Sequence, residues 1–449
     1  MTTGPGKEAL KRWVIESIDD HSEGILAAGQ HLLSIPEVGF KETRTASFVA
    51  DRLRSLGLTP REGLALTGVK AEARGQAPGP TVAIIGEMDA LINYDHPFAD
   101  PQTGAAHSCG HHAQVTHVLA VAEALLGSGV MSHLAGRVVF FAVPAEEFIE
   151  IEYRLHLKRQ GKIEFLGGKQ ELIRLGEFDD INLAMMVHSA PLDGAVRLGI
   201  GGSGLAFVAK HVQYVGQSSH AALAPDKGIN ALNAALLGLM GIHAQRETFV
   251  EADHVRVHPI ITRGGAVVNA VPDDVAIETY VRAANTDALR EANLKVDRAL
   301  QAGAMAVGAR ARIETVPGYL PSSYHPALST LFRDNGSALV GQDGFSGPES
   351  TIEGASSDIG DVCQLLPTLM AYSRGWEGYA HSPGYLVKDA DAAYILPAKA
   401  LAMTVIDLLA DGAGTASDIL AGYTPSMTHR DYLTCMRSLS GESWFPPQD

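Results

Sequence analysis

The densest group of metal-seeking side chains is HSCGHH, residues 107–112, which sets one thiol and three imidazoles within six residues beside a glycine. Thiolate and imidazole are ligands for divalent metals, although a buried cysteine also serves as a small hydrophobe and histidines are common at helix starts. A second signal is Glu146 and Glu147, in AVPAEE directly after an apolar run. Two adjacent carboxylates would raise one another's pKa unless a cation shares the site. A metal resolves the conflict by taking one as ligand, leaving the other as a base. Asp89 in GEMDAL and His188 after LAMMV sit at comparable strand exits, and His381 in YAHSPGY lies in a loop before the last helix. Taken singly, each is more often structural. As a set, Cys109, His111, His188, His381 and Glu147 are five ligands, enough for two metals only if one ligand bridges. A thiolate has lone pairs for two ions, so Cys109 is the natural bridge. Two ions ~3.5 to 4 Å apart would clamp a water and a carbonyl oxygen, whereas closed structural zinc uses four ligands around one ion.

The elements around these residues alternate. Residues 7–34 read as one helix, followed by a second from about 42 to 56. The run TVAIIGEMDAL (81–91), then RVVFFAV (137–143) and LAMMV (183–187), read as strands buried on both faces, with a helix from about 113 to 126 between the first two. Such an order predicts an α/β fold with chemistry just beyond the strand ends. Beyond Gly204 the pattern becomes βαββαβ over about 110 residues, the order of a small ferredoxin-like α+β unit. Helices and an apolar strand resume after Pro317, so this unit reads as an insertion. The expected division is 1–203 and 318–449 for a catalytic domain and 204–317 for the inserted one. The stretch after about Gly412 has no evident purpose.

With 449 residues, 46% of them hydrophobic, the chain can bury two or three domains. A net charge of −16 disfavours binding to nucleic acid or anionic lipid. Three cysteines (Cys109, Cys363 and Cys435) cannot build a disulfide framework, and no basic-then-apolar segment opens the sequence, which makes the cytoplasm the expected compartment. Apolar stretches are interrupted before the ~18 residues that a spanning helix needs.

At GEMDAL, HSCGHH, PAEE, VHSAP, 216–232, 264–275, 356–367 and AHSPGY, the sequence resembles the M20 metallopeptidase and amidohydrolase family, in the branch of aminoacylases, auxin-conjugate hydrolases and aminobenzoyl-glutamate hydrolases. The resemblance spans roughly residues 10–410. It implies an α/β catalytic domain with a mixed sheet, interrupted by a ferredoxin-like lid that joins a homodimer. It assigns Cys109 as the bridging ligand, with His111 and His188 completing one metal site and Glu147 and His381 the other. Glu146 becomes the general base, and Asp89 a carboxylate that orients a ligand imidazole. His220 resembles the lid histidine that reaches an active site, while Asn269 and Arg282 fall in lid segments that hold the polar or carboxylate end of a small substrate. Two features depart from the branch. His112 stands where Asp or Asn is usual, as an added ligand or a pocket residue, and residues 148–169 are longer and more charged than the usual glycine-rich link.

The implied cofactor is Mn²⁺ or Zn²⁺, up to two per chain, and the implied reaction is cleavage of an amide C–N bond in a small N-acyl amino acid or aminobenzoyl conjugate. The alternative is deamination of an activated aromatic amine at the same metals, with release of ammonia. A dinucleotide-binding reading of GIGGSG (199–204) is disfavoured, because that motif should open a helix and a strand-like segment follows. A noncatalytic metal-binding protein would have little reason to keep Glu146.

Overall fold

The computed structural model describes residues 5–348 and 352–446. Among these, two compact units are distinct. One comprises the chain up to Ser203 together with 323–348 and 361–426, and the other Gly204–Ser322, Ile352–Gly360 and the residues from Met427 on.

The first unit is built on a mixed sheet of nine strands among the described residues. Its order is Arg61–Leu64, Gly68–Arg74, Ala135–Val143, Ala77–Glu87, Leu183–Pro191, Thr368–Glu377, Leu198–Ile200 and Phe345–Ser346, and Leu386–Val387 pairs Thr368–Glu377 off this path. The central strands Ala135–Val143, Ala77–Glu87, Leu183–Pro191 and Thr368–Glu377 run parallel. Residues 81–87 are buried without a break, so both faces of this strand are covered. The helix His111–Gly127 packs on it and on the helix Leu396–Leu409. Val82, Ile84, Val118, Leu125, Phe140, Met185 and Leu401 belong to one fully buried apolar core, which anchors the strand ends where the candidate site lies.

Several expectations need revision. The single helix over 7–34 is two, Lys7–Asp20 and Ser22–Leu33, interrupted at His21. Asp19 and Asp20 put negative charge at the negative end of the first helix dipole, and the His21 ring hydrogen-bonds the Ser17 carbonyl at 2.7 Å, closing that end. His188 lies inside the Leu183–Pro191 strand and does not follow it. The segment Asp391–Leu409 is apolar over 19 residues, long enough by composition to cross a membrane. It is nevertheless 83% buried and is a core helix entered through a π turn.

The second unit has the expected βαββαβ order, with helices Ala231–Gln245 and Thr286–Val307. Its sheet runs Arg256–Arg263, Asp274–Ala283, Ala206–Val215, Arg310–Pro317 and Gly441–Phe445. The fifth strand corrects the expected boundaries. Ala311 to Thr315 pair in register with Phe445 to Gly441, so residues 427–446 belong here, together with 318–322 and 352–360, and not with the first unit's 323–348 and 361–426. Pairing satisfies the backbone donors and acceptors that an edge strand would otherwise leave open. GIGGSG ends one short strand and precedes another, with no helix opening on it.

Candidate metal centre and active site

The expected ligands of the first unit converge at the carboxyl ends of its parallel strands. Cys109 ends the turn before the helix His111–Gly127, at whose N-cap Gly110 has φ 81°. A Cβ at Gly110 would lie 2.6 Å from that of Ser189, so glycine is required both by the backbone and by the approach. Ser189 Oγ donates to the Cys109 carbonyl at 2.6 Å and accepts from Tyr385 at 2.8 Å, fixing the cysteine's main chain. His381, at φ 69°, is tied to the same turn, its N–H donating to the Ser108 carbonyl at 2.7 Å.

Three groups of donor atoms are each mutually within 4.8 Å: Cys109, His111 and His188; Cys109, Glu147 and His381; and Glu87, His111 and Glu146. The first two share Cys109, as the bridging scheme requires. Cys109 Sγ is 3.5 Å from His188 Nε2, and His381 Nε2 is 3.4 Å from Glu147 Oε1. His111 directs Nδ1 to the Asp89 carbonyl at 2.9 Å, with Asp89 Oδ1 3.4 Å away. This arrangement turns Nε2 towards the cluster. The other Asp89 oxygen accepts the Glu147 N–H at 2.8 Å, so one carboxylate touches both a candidate imidazole and the carboxylate loop.

The electrostatics fit a cation. Burial and Glu147 push the Cys109 thiol up, but His188 and His111 outweigh them and bring it down to about 6. Burial opposes charge on His111, yet Cys109 and Glu87 hold its pKa well above the ordinary imidazole value. Hydrogen bonds to Cys109 and Glu147 raise His381 to about 11. The bare cluster thus balances a thiolate and carboxylates with protonated imidazoles, and a metal would displace those protons. Among the described residues, His111 Nε2 and Glu147 Oε1 are buried with an ion-pair neighbour each, Glu87 and His381, but without a hydrogen bond of full geometry. Such atoms in a thiolate, imidazole and carboxylate set are those a divalent ion satisfies.

Glu87 is the site residue that the motif reading overlooked. It is fully buried, its Oε2 lies 3.2 Å from His111 Nε2 and accepts from Gln114 at 2.7 Å, and its Oε1 pairs with the buried Lys169. Its signal in the sequence is a carboxylate ending an otherwise apolar strand, which demands a partner. His112 is buried on the helix beside the cluster. Its Nε2 meets the Tyr394 hydroxyl at 3.0 Å, the side chain is buried, and it joins none of the three donor groups.

The remaining expected residues lie in the second unit. His220 pairs with Ala270 in an isolated antiparallel bridge there, and Ala221 N–H donates to the Asn269 carbonyl at 2.9 Å, which sets His220 and Asn269 on adjacent stretches of chain. Arg282 donates to Ser356 Oγ at 2.6 Å and to His258 Nε2 at 3.1 Å, with its guanidinium over the Phe207 and Tyr280 rings.

The sequence from residue 83 to 400 matches the model of peptidase family M20/M25/M40. The chain belongs to this family and is a metal-dependent hydrolase of the M20 peptidase and amidohydrolase type. Among curated proteins, it is 30% identical to the Xaa-Arg dipeptidase of Mus musculus, over 90% of this chain and 89% of that one. It is 26% identical to an N-acyl-L-amino acid amidohydrolase of Geobacillus stearothermophilus, over 78% and 89% of the respective chains. Its fold is similar to that of the YXEP protein of Bacillus subtilis, described as a dinuclear metal-binding peptidase of the M20 family. There the TM-score is 0.63 and the identity 20%, covering 87% of this chain and 99% of the other.

Proposed function

We propose that the protein hydrolyses the amide C–N bond of a small N-acyl amino acid, dipeptide or aminobenzoyl conjugate at a two-metal site bridged by Cys109. The observation that carries this reading is the sharing of Cys109 by two donor triads, with Glu146 in a third group that shares His111 with the first. The dipeptidase and N-acyl amino acid amidohydrolase among the relatives point to the same substrate class. His111 and His188 would hold one ion, and Glu147 and His381 the other. Bound divalent ions would polarise the amide carbonyl and lower the pKa of an attacking water. Glu146 takes the proton from that water and returns it to the departing nitrogen. Asp89 engages His111 Nδ1 through its carbonyl and so leaves Nε2 as the nitrogen that would face an ion. His220 is assigned to the developing oxyanion, and Asn269 and Arg282 to the substrate's carboxylate end.

The same reading includes a homodimer formed through the second unit. Leu236, Leu237 and Met240 stand exposed on the helix Ala231–Gln245, as do Ile260 and Ile261 on the edge strand Arg256–Arg263. An apolar, unpaired strand edge favours pairing with a second copy. The test of the reaction is product analysis with Mn²⁺- or Zn²⁺-loaded enzyme on dipeptides, N-acyl amino acids, aminobenzoyl conjugates and aromatic amines. Amine plus carboxylic acid in equal amounts supports the proposal, and ammonia from an aromatic amine would replace it with deamination.

A further inference from the structure

The charged segment that follows the carboxylate pair folds back onto the turn that carries it. Arg154, in the helix Ile151–Arg159, is fully buried. It makes no ion pair with a carboxylate among the described residues. Instead its Nη1 donates to the carbonyls of Leu166 at 2.7 Å and Ala145 at 3.4 Å, and its Nη2 to the carbonyl of Glu147. The guanidinium lies 5.3 Å from the Phe40 ring centroid and 5.9 Å from that of Phe148. Burying a cation against main-chain carbonyls is costly, so the arrangement must secure something else.

What it secures is the turn that carries the carboxylates. Ala145 has φ 54°, a left-handed conformation that a non-glycine residue keeps only when its surroundings enforce it. Its N–H donates to Glu42 Oε1 at 2.8 Å, and its carbonyl accepts from Gly168 N–H at 3.1 Å as well as from Arg154. Space for the clamp comes from Gly39, where a Cβ would lie 2.4 Å from Arg154 Nη2 and 2.9 Å from Ala145 Cα. The arginine, the glycine and the strained alanine are thus one fitted feature.

We infer that Arg154 is a positioning residue that clamps the Ala145–Glu147 turn and thereby fixes Glu146 and Glu147 at the metal centre, an inference that rests on the two-metal reading above. A planar guanidinium serves carbonyls on separate segments with a rigid set of donors, which an ammonium cannot reproduce. Through Arg154 and Gly168, the 148–169 segment is thus tied to the turn that carries the carboxylates.

The test uses R154K, R154M and G39A in the full chain. Binding of Zn²⁺ and of Mn²⁺ to chelator-stripped protein is measured by calorimetry, alongside thermal melting, kcat and KM. The expected result is metal binding weakened roughly 10- to 100-fold, the usual range for residues that support a ligand. A comparable fall in kcat with little change in KM should accompany it. R154K should fail to rescue, and G39A should shift the same quantities because it displaces the guanidinium without removing its charge. If R154M does not fold, R154K and G39A carry the test. Folded variants with wild-type metal affinity and kcat would overturn the inference, as would losses that merely follow the unfolded fraction. If the wild-type protein takes up no ion, the metal reading falls. The clamp is then judged by a crystal structure of R154K, in which the 145–147 turn must move.

Discussion

Replacing Lys169 with methionine should expose how the candidate site tolerates so many buried carboxylates. Lys169 and Glu87 are both fully buried, and their ion pair ends at an oxygen whose partner on the same carboxylate lies 3.2 Å from His111. Burial pushes Glu87 up, but the Lys169 ammonium, followed by His111 and His188, brings it down from 4.5 to about 2. That depression corresponds to about 3 kcal/mol. Removing one partner of a buried pair typically costs ~3–5 kcal/mol, so the two arguments agree in size. Because the folded-state pKa is the lower one, this stability is present above about 4.5 and disappears as the pH falls towards about 2. Urea unfolding of chelator-treated protein should therefore show K169M less stable by ~3–5 kcal/mol at pH 7, with the gap narrowing below pH 4.5. The double variant E87Q/K169M should recover much of the loss, since an amide needs no counter-charge. A single variant within about 1 kcal/mol of wild type at pH 7 would refute the reasoning, as would a double variant no more stable than K169M.

Other predictions separate the parts of the site. Glu147→Ala should lose bound metal, whereas Glu146→Gln should retain it while kcat falls by roughly 10²- to 10⁴-fold; equal metal loss in both, by elemental analysis, would mean that the pair is wrongly assigned. His220→Ala should lower turnover while leaving metal content and melting temperature near wild type, and full activity would remove His220 from the reaction. Charged substitutions at Met240 and Ile260, both exposed, should yield monomers by light scattering if the dimer forms as proposed.

Several candidate ligands were legible because they lie where an apolar run stops or where a glycine opens a helix. Glu146 and Glu147 follow Val143 and Pro144, and Cys109 and His111 flank a glycine at a helix start. Local pattern suffices there, since side-chain periodicity and glycine punctuation act over a few residues. The supporting contacts were not legible because they join distant positions. Glu87 finds Lys169 across 82 residues, and Gly39 matters only because Arg154 fills the space above it. The terminal strand was missed for a related reason. GESWF is short and only partly buried, and it becomes a strand by pairing with 311–315, far earlier in the chain. The break at His21 illustrates the converse, where a continuous apolar pattern hid a local cap.

Whether two ions share the Cys109 thiolate can be read from anomalous diffraction by crystals loaded with Zn²⁺. Two peaks per chain are expected, each about 2.3 Å from Cys109 Sγ, with one near His111 and His188 and the other near Glu147 and His381. A single ion, or two ions of which either lies beyond bonding distance of that sulfur, would contradict a bridging Cys109.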